Sequence, residues 1–378
     1  MRIFARRMFD GNNMLENQVV TVEGDSVTAL APGERGDLTA ALLCPGLIDV
    51  HHHGGWGFDT SRPAWDQAEA WARKLAENGV AGVLCTIATG PKDGTRQALA
   101  FVREAMAEQA KGGLPGTRIL GAHLEGPFIN EKRSGAMNKS LIQAPSIAAF
   151  EEIAGEYKDI VRVVTLAPEV PGAMELVQYL NAHHIRVQAG HTDASFEQAE
   201  EAFAGGVTGI CHFFNAARPI QHRNPGILTA ALLHPEVYCE IICDMVHMEP
   251  AAIRLALKCK GPGRLMMISD SAPTAGLPDG SYHMNNHPVI VREGRNYTES
   301  GGIAGSGKQT GQCVRLLCEA GIPVESVLIM AGVTPVRWLA PDGRLGAIKP
   351  GSRACLTAFR TDMNPAFTLV DGNTIYAK

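Results

Sequence analysis

The sequence predicts an α/β protein: a (β/α)₈ barrel with a small β-sandwich domain formed by both chain termini. Three observations predict it. Eight near-continuous apolar runs lie between residues 46 and 269, helical patterns separate them, and strand texture with turn signals marks the two ends. Runs that are apolar throughout indicate strands buried on both faces, as in parallel sheets. Repeated βα units point to a barrel or to an open doubly wound sheet. The open sheet usually places a glycine-rich dinucleotide turn after its first strand. Here that strand runs into His51-His52-His53 instead, so the barrel is the better reading.

At the N-terminal end, Val19-Val20-Thr21-Val22 and Ser26-Val27-Thr28-Ala29-Leu30 read as short strands around the Gly24-Asp25 turn. The C-terminal end has the same texture in Ala354–Phe359, Phe367–Val370 and Thr374-Ile375-Tyr376, with Asp371-Gly372-Asn373 as a turn. Chain ends often lie close together, which predicts one small domain from 1–44 and 346–378, and a barrel from 45–345.

The barrel strands are read at Gly46–Val50, Gly82–Ile87, Ile119–Leu124, Val161–Leu166, Ile185–Ala189, Gly209–Phe214, Val237–Cys243 and Leu265–Ser269. Between them, helices are predicted at Ala64–Asn78, which stops at Gly79, and at Thr95–Gln109, Ser146–Tyr157, Ala173–His184, Ser195–Ala204 and Pro250–Lys260.

Composition excludes several classes. With 45% hydrophobic and 19% charged residues over 378 positions, there is material for a large core. Lys+Arg 34 against Asp+Glu 39 gives a net charge of −5, without a basic block that would suit nucleic acid. No apolar stretch approaches the roughly 20 residues of a membrane span, and no apolar region follows the basic start that would make a secretory leader. The nine cysteines form no CxxC pair. Reduced, buried thiols in a cytoplasmic protein are expected.

Barrel active sites occupy the C-terminal ends of the strands. Those ends carry His51 and His53, Glu125, His191, His212, Asp244 with His247, and Asp270. His51 and His53 point to one face of their strand and His52 to the other. A lone histidine is more often structural, but that is a poor account of a whole set at strand ends. His183, His184, His234, His283 and His287 fall on helix or loop texture and are set aside; His123 is expected to support the site. No lysine sits at a strand end, which disfavours a Schiff-base aldolase and a lysine-bridged metal pair. Two imidazoles with a carboxylate and one position left for water form the pattern of a hydrolytic metal site.

These stretches resemble the amidohydrolase superfamily, and within it the N-acetylglucosamine-6-phosphate deacetylases, over essentially the whole chain. The matching residues include Pro45–Gly54, His123–Pro127, Leu166–Glu169, Ala189–Thr192, His212–Ala216, Arg223–Gly226, Asp244–His247 and Ser269–Pro273. The resemblance implies that Glu125, His191 and His212 bind a principal divalent metal, zinc being the expected ion. It implies that Asp270 is the general base, which then returns its proton to the leaving amine. A pair such as His51 and His53 holds a second metal in some members. The sugar phosphate would meet His247 and, from a neighbouring subunit, Arg223, so a homodimer is implied. Asn215, Ala216, Ala136, Met137 and the segment Ile303-Ala304-Gly305 fall at substrate-contacting positions.

Met137 departs from the pattern: the family usually has a histidine there, thought to polarise the acetamide carbonyl. Methionine donates no hydrogen bond. Either a second metal takes that task or the substrate differs. N-acetylgalactosamine 6-phosphate, an unphosphorylated amide and a catalytically silent scaffold are the alternatives. A P-loop at 301–308 fails, because Lys308 is followed by Gln309.

Overall fold

The computed structural model describes residues 1–284, 287–339 and 343–377. Eight parallel strands follow one another in sequence order: Leu47–His52, Val80–Ala88, Arg118–Glu125, Val161–Leu166, Arg186–Ala189, Gly209–Ile210, Tyr238–Ile242 and Leu265–Ile268. The ring closes where His52 bridges Ser271 in parallel. There the His53 N–H donates to the Ser271 carbonyl and the Asp270 N–H to the His51 carbonyl, both at 3.0 Å. The second strand is buried at every position, as a strand covered on both faces must be.

Helices lie outside the ring. Trp65–Glu77, Lys92–Ala110, Ile147–Ala154, Ala173–Ala182, Phe196–Ala204 and Pro250–Lys260 occupy the six predicted places. Ile227–Leu233 and Thr310–Glu319 complete the alternation after the sixth and eighth strands. Phe196–Ala204 starts at a capping box, with the Ser195 hydroxyl accepting from the Gln198 N–H and the Gln198 side chain accepting from the Ser195 N–H. This anchors the loop that carries His191.

The two ends form one seven-stranded sheet. Leu356–Phe359 pairs antiparallel with Leu38–Pro45, which pairs parallel with Arg2–Phe9. The edge near Val27 returns to the C-terminal segment: the Val27 N–H donates to the Ser352 carbonyl and the Gly351 N–H to the Val27 carbonyl, each at 2.9 Å. The sheet therefore encloses its own core, which includes Ile3, Met8, Val20, Leu43, Leu356 and Phe367. At Gly46, where the chain passes into the barrel, a Cβ would lie 2.3 Å from the Ala81 Cβ. Only glycine fits that approach.

One element departs from expectation. Between the eighth strand and Thr310–Glu319, where the sequence signals no strand, lies a three-stranded antiparallel sheet, Gly280–Met284, His287–Arg292 and Arg295–Thr298. His283 and His287 belong to its strands. The sheet stands over the barrel mouth and contributes Met284, Val289 and Thr298 to the wall of the cavity there.

Candidate active site

The pleat of the first strand sets its three histidines. His52 turns outward, where its Nε2 accepts from the Trp71 indole N–H at 3.1 Å. His51 and His53 turn inward and bring their Nε2 atoms to 3.1 Å from each other. Asp270 Oδ1 lies 3.5 Å from His51 Nε2 and 3.4 Å from His53 Nε2.

Across the mouth, Glu125, His191 and His212 converge. Glu125 Oε1 is 3.2 Å from His191 Nε2 and 3.0 Å from His212 Nε2, and the two nitrogens are 3.1 Å apart. Their other ring nitrogens settle the proton positions. His191 Nδ1 donates to the Arg133 carbonyl at 2.8 Å, and His212 Nδ1 to the Asn215 carbonyl at 3.2 Å. Each Nε2 therefore presents a lone pair. Two imidazole lone pairs and a carboxylate oxygen aimed at one point are three acceptors without a donor. A divalent cation satisfies all three, so the residues present fit a metal. Glu125 Oε2 lies 3.3 Å from His53 Nε2, so this one carboxylate faces both histidine pairs.

Strand-end backbone aims these groups. His191, His212 and Asp270 have φ of 48°, 26° and 48°. Gly190 permits the first of these turns: a Cβ there would lie 2.6 Å from both Cys211 Cβ and Thr165 Cγ2. Asp270 is only 9% exposed. Burial would lift its pKa, but His51 and His53 hold it at about 2, so it is an ionised carboxylate at neutral pH. His123 supports from below, with Nε2 2.7 Å from the Thr165 hydroxyl and Nδ1 3.3 Å from the Thr86 hydroxyl. Burial pushes its imidazole well below the usual range.

A cavity of about 1050 Å³ opens over these groups. Its wall includes Ala136, Met137, Asn215, Ala216 and His247, and the segment Ile303-Ala304-Gly305. His247 Nδ1 donates to Asp244 Oδ2 at 2.8 Å, while Asp244 Oδ1 accepts from the Val246 and His247 N–H groups at 2.9 Å. Burial opposes the Asp244 charge, yet these donors hold its carboxyl below the usual range. Met137 offers no donor; its sulfur accepts from the Thr89 hydroxyl at 3.2 Å. Arg223 is exposed and lies outside the cavity wall of its own chain.

Sequence reasoning passed over Glu240 and Gln188, both fully buried beneath the mouth. The only local signal is one acidic residue in the otherwise apolar-textured run Tyr238-Cys239-Glu240-Ile241-Ile242.

A model of the amidohydrolase family matches residues 42–375. The chain belongs to the amidohydrolase family. This amidohydrolase is a hydrolase of C–N amide bonds, and its family is metal-dependent. It is 35% identical to the N-acetylglucosamine-6-phosphate deacetylase of Vibrio furnissii, over 98% of this chain and 94% of that one. It is 33% identical to the N-acetylgalactosamine-6-phosphate deacetylase of Escherichia coli O157:H7, over 95% of each. Among solved structures it is similar to a mutant N-acetyl-D-glucosamine-6-phosphate deacetylase of Mycobacterium smegmatis in complex with N-acetyl-D-glucosamine-6-phosphate. The TM-score is 0.92 at 28% identity, covering 100% of this chain and 99% of that one.

Proposed function

We propose that this amidohydrolase cleaves N-acetylglucosamine 6-phosphate to glucosamine 6-phosphate and acetate. The observation that carries the reading is the convergence of Glu125, His191 and His212 beside ionised Asp270, in a cavity with His247 on its wall. The relatives' substrates agree with it.

Glu125, His191 and His212 hold the principal metal, zinc by preference for a nitrogen and oxygen donor set. His51 and His53 hold a second ion with Asp270. A divalent cation there supplies a Lewis acid that polarises the acyl carbonyl and acidifies water. Asp270 takes a proton from water as the water oxygen bonds the acetyl carbon. The carbon–nitrogen bond then breaks, and Asp270 delivers that proton to the departing amine. Met137 cannot donate a hydrogen bond to the acyl carbonyl, so that polarisation would fall to a cation held by the residues above.

His247, kept in place by Asp244, binds the phosphate, and Asn215, Ala216, Ala136 and Ile303-Ala304-Gly305 line the sugar's place. Arg223 serves the cavity of a second copy in a homodimer. Its exposure supports this, as do Ile220 and Leu233, which are 44% and 69% exposed on the same loop and the helix after it. No described helix is long and apolar enough to cross a membrane. The nine cysteines are free, which supports a reducing, cytoplasmic setting.

The test is acetate release from N-acetylglucosamine 6-phosphate by zinc-loaded protein. Asp270→Asn is expected to slow it by about 10²–10⁴-fold while the metal at Glu125, His191 and His212 is retained. Absence of release from folded, metal-loaded protein would sink the assignment. Met137 and the E. coli relative favour a second reading, N-acetylgalactosamine 6-phosphate. A higher kcat/KM for that epimer would establish it.

A further inference from the structure

Glu240 occupies the middle of the seventh barrel strand and is fully buried. A carboxylate removed from water is costly unless charge and hydrogen bonds compensate it. Its Oε2 accepts from His51 Nδ1 at 2.9 Å and from the His212 backbone N–H at 3.1 Å, and its Oε1 accepts from Gln188 Nε2 at 3.1 Å. Gln188 and the amide are neutral, so His51 is the group through which positive charge can reach this carboxylate.

The His51 proton is thereby placed on Nδ1. Its Nε2 is left facing His53 Nε2 at 3.1 Å, Glu125 Oε1 at 3.4 Å and Asp270 Oδ1 at 3.5 Å. His191 and His212 rest on neutral main-chain carbonyls, whereas His51 rests on an anion. A carboxylate behind an imidazole fixes its tautomer and makes its free nitrogen a stronger ligand.

We propose that Glu240 is the positioning residue of a second divalent-cation site formed by His51, His53 and Asp270. It supplies that site's buried counter-charge, and its bond to the His212 amide ties the second site to the first. This rests on the metal-dependent reading of the barrel mouth, not on the identity of the sugar.

Glu240→Gln is the informative variant. It keeps an oxygen for His51 and the His212 amide but removes the charge. Rotation of the Gln188 amide would let its oxygen accept the new N–H, and the melting temperature of metal-free protein reports whether the interior tolerates the exchange. The measurement is zinc content and cobalt(II) absorption during titration of metal-free protein against a competing chelator.

The native chain is expected to take two equivalents. Glu240→Gln is expected to keep the first at native affinity and bind the second about 10–100-fold more weakly. The metal-free variant should melt as the native protein does. A single equivalent in the native chain would overturn the proposal, as would native affinity for both ions in the variant. Loss of both ions with a lowered melting temperature of metal-free protein would show a purely structural role and overturn it too. If acetate release fails while the second equivalent still depends on Glu240, the substrate reading falls and this inference stands.

Discussion

His51 and His53 sit two residues apart, at the end of the first strand and just past it, whereas His191 and His212 come from neighbouring strand ends in left-handed backbone, with φ of 48° and 26°. Both pairs reach Glu125. The first pair is aimed by extended backbone without a positive φ, at a register irregularity between Asp49 and His52. The second must turn inward as its strands end, at a cost of order 1–3 kcal/mol for each such residue. Asp270 and Ala216, with φ of 48° and 47°, share that conformation at the same mouth. Strain is thus concentrated where the chain has to leave the barrel wall and face the cavity. The largely buried strands beneath hold it in place.

Substitution of one ligand from each pair tests this comparison most severely. His212→Ala is expected to lose the first metal and to raise the barrier by several kcal/mol, on the order of a thousandfold in rate. His53→Ala should keep one tightly bound equivalent by elemental analysis and lose less activity. Equal loss of metal from both variants would mean that the pairs form one indivisible site.

A smaller effect is expected on the substrate side of the cavity. His247→Ala should raise KM for a sugar phosphate by about 10–100-fold, the worth of one charge-assisted hydrogen bond, with kcat changed only a few-fold. A fall in kcat at unchanged KM would place His247 in the chemistry rather than in phosphate binding.

The smallest effect probes the strain itself. Ala216→Gly relieves a left-handed alanine and should stabilise metal-free protein by up to about 1 kcal/mol in denaturant unfolding. Destabilisation would show that the positive φ at Ala216 carries little cost.

Much of the fold was readable because its signals are local. The fully buried second strand and the helix from Trp65 announce themselves by apolar content and period, and Ser195 with Gln198 spells a cap. The His51 and His53 pair is legible for the same reason, since a two-residue spacing fixes the shared face. The three-stranded sheet was missed although Glu293-Gly294, with φ of 55° and 66°, makes a tight hairpin between Arg292 and Arg295. An alternating run of mixed polarity looks like loop when its apolar face covers a cavity rather than a core. Glu240 was missed because a single acid within a buried strand has no periodic signature. Its partners Gln188 and His51 are 52 and 189 residues away.

By itself the sequence determined the alternation of buried strands and helices, the shared face of His51 and His53, and the residue types at the strand ends. Those follow from backbone periods that hold over a few residues. Tertiary structure alone decided that Glu125 faces both histidine pairs, that Glu240 stands behind His51, and that His191, His212 and Asp270 turn inward. Each of these depends on closing the ring, which brings distant strands side by side and forces backbone angles that no local pattern encodes.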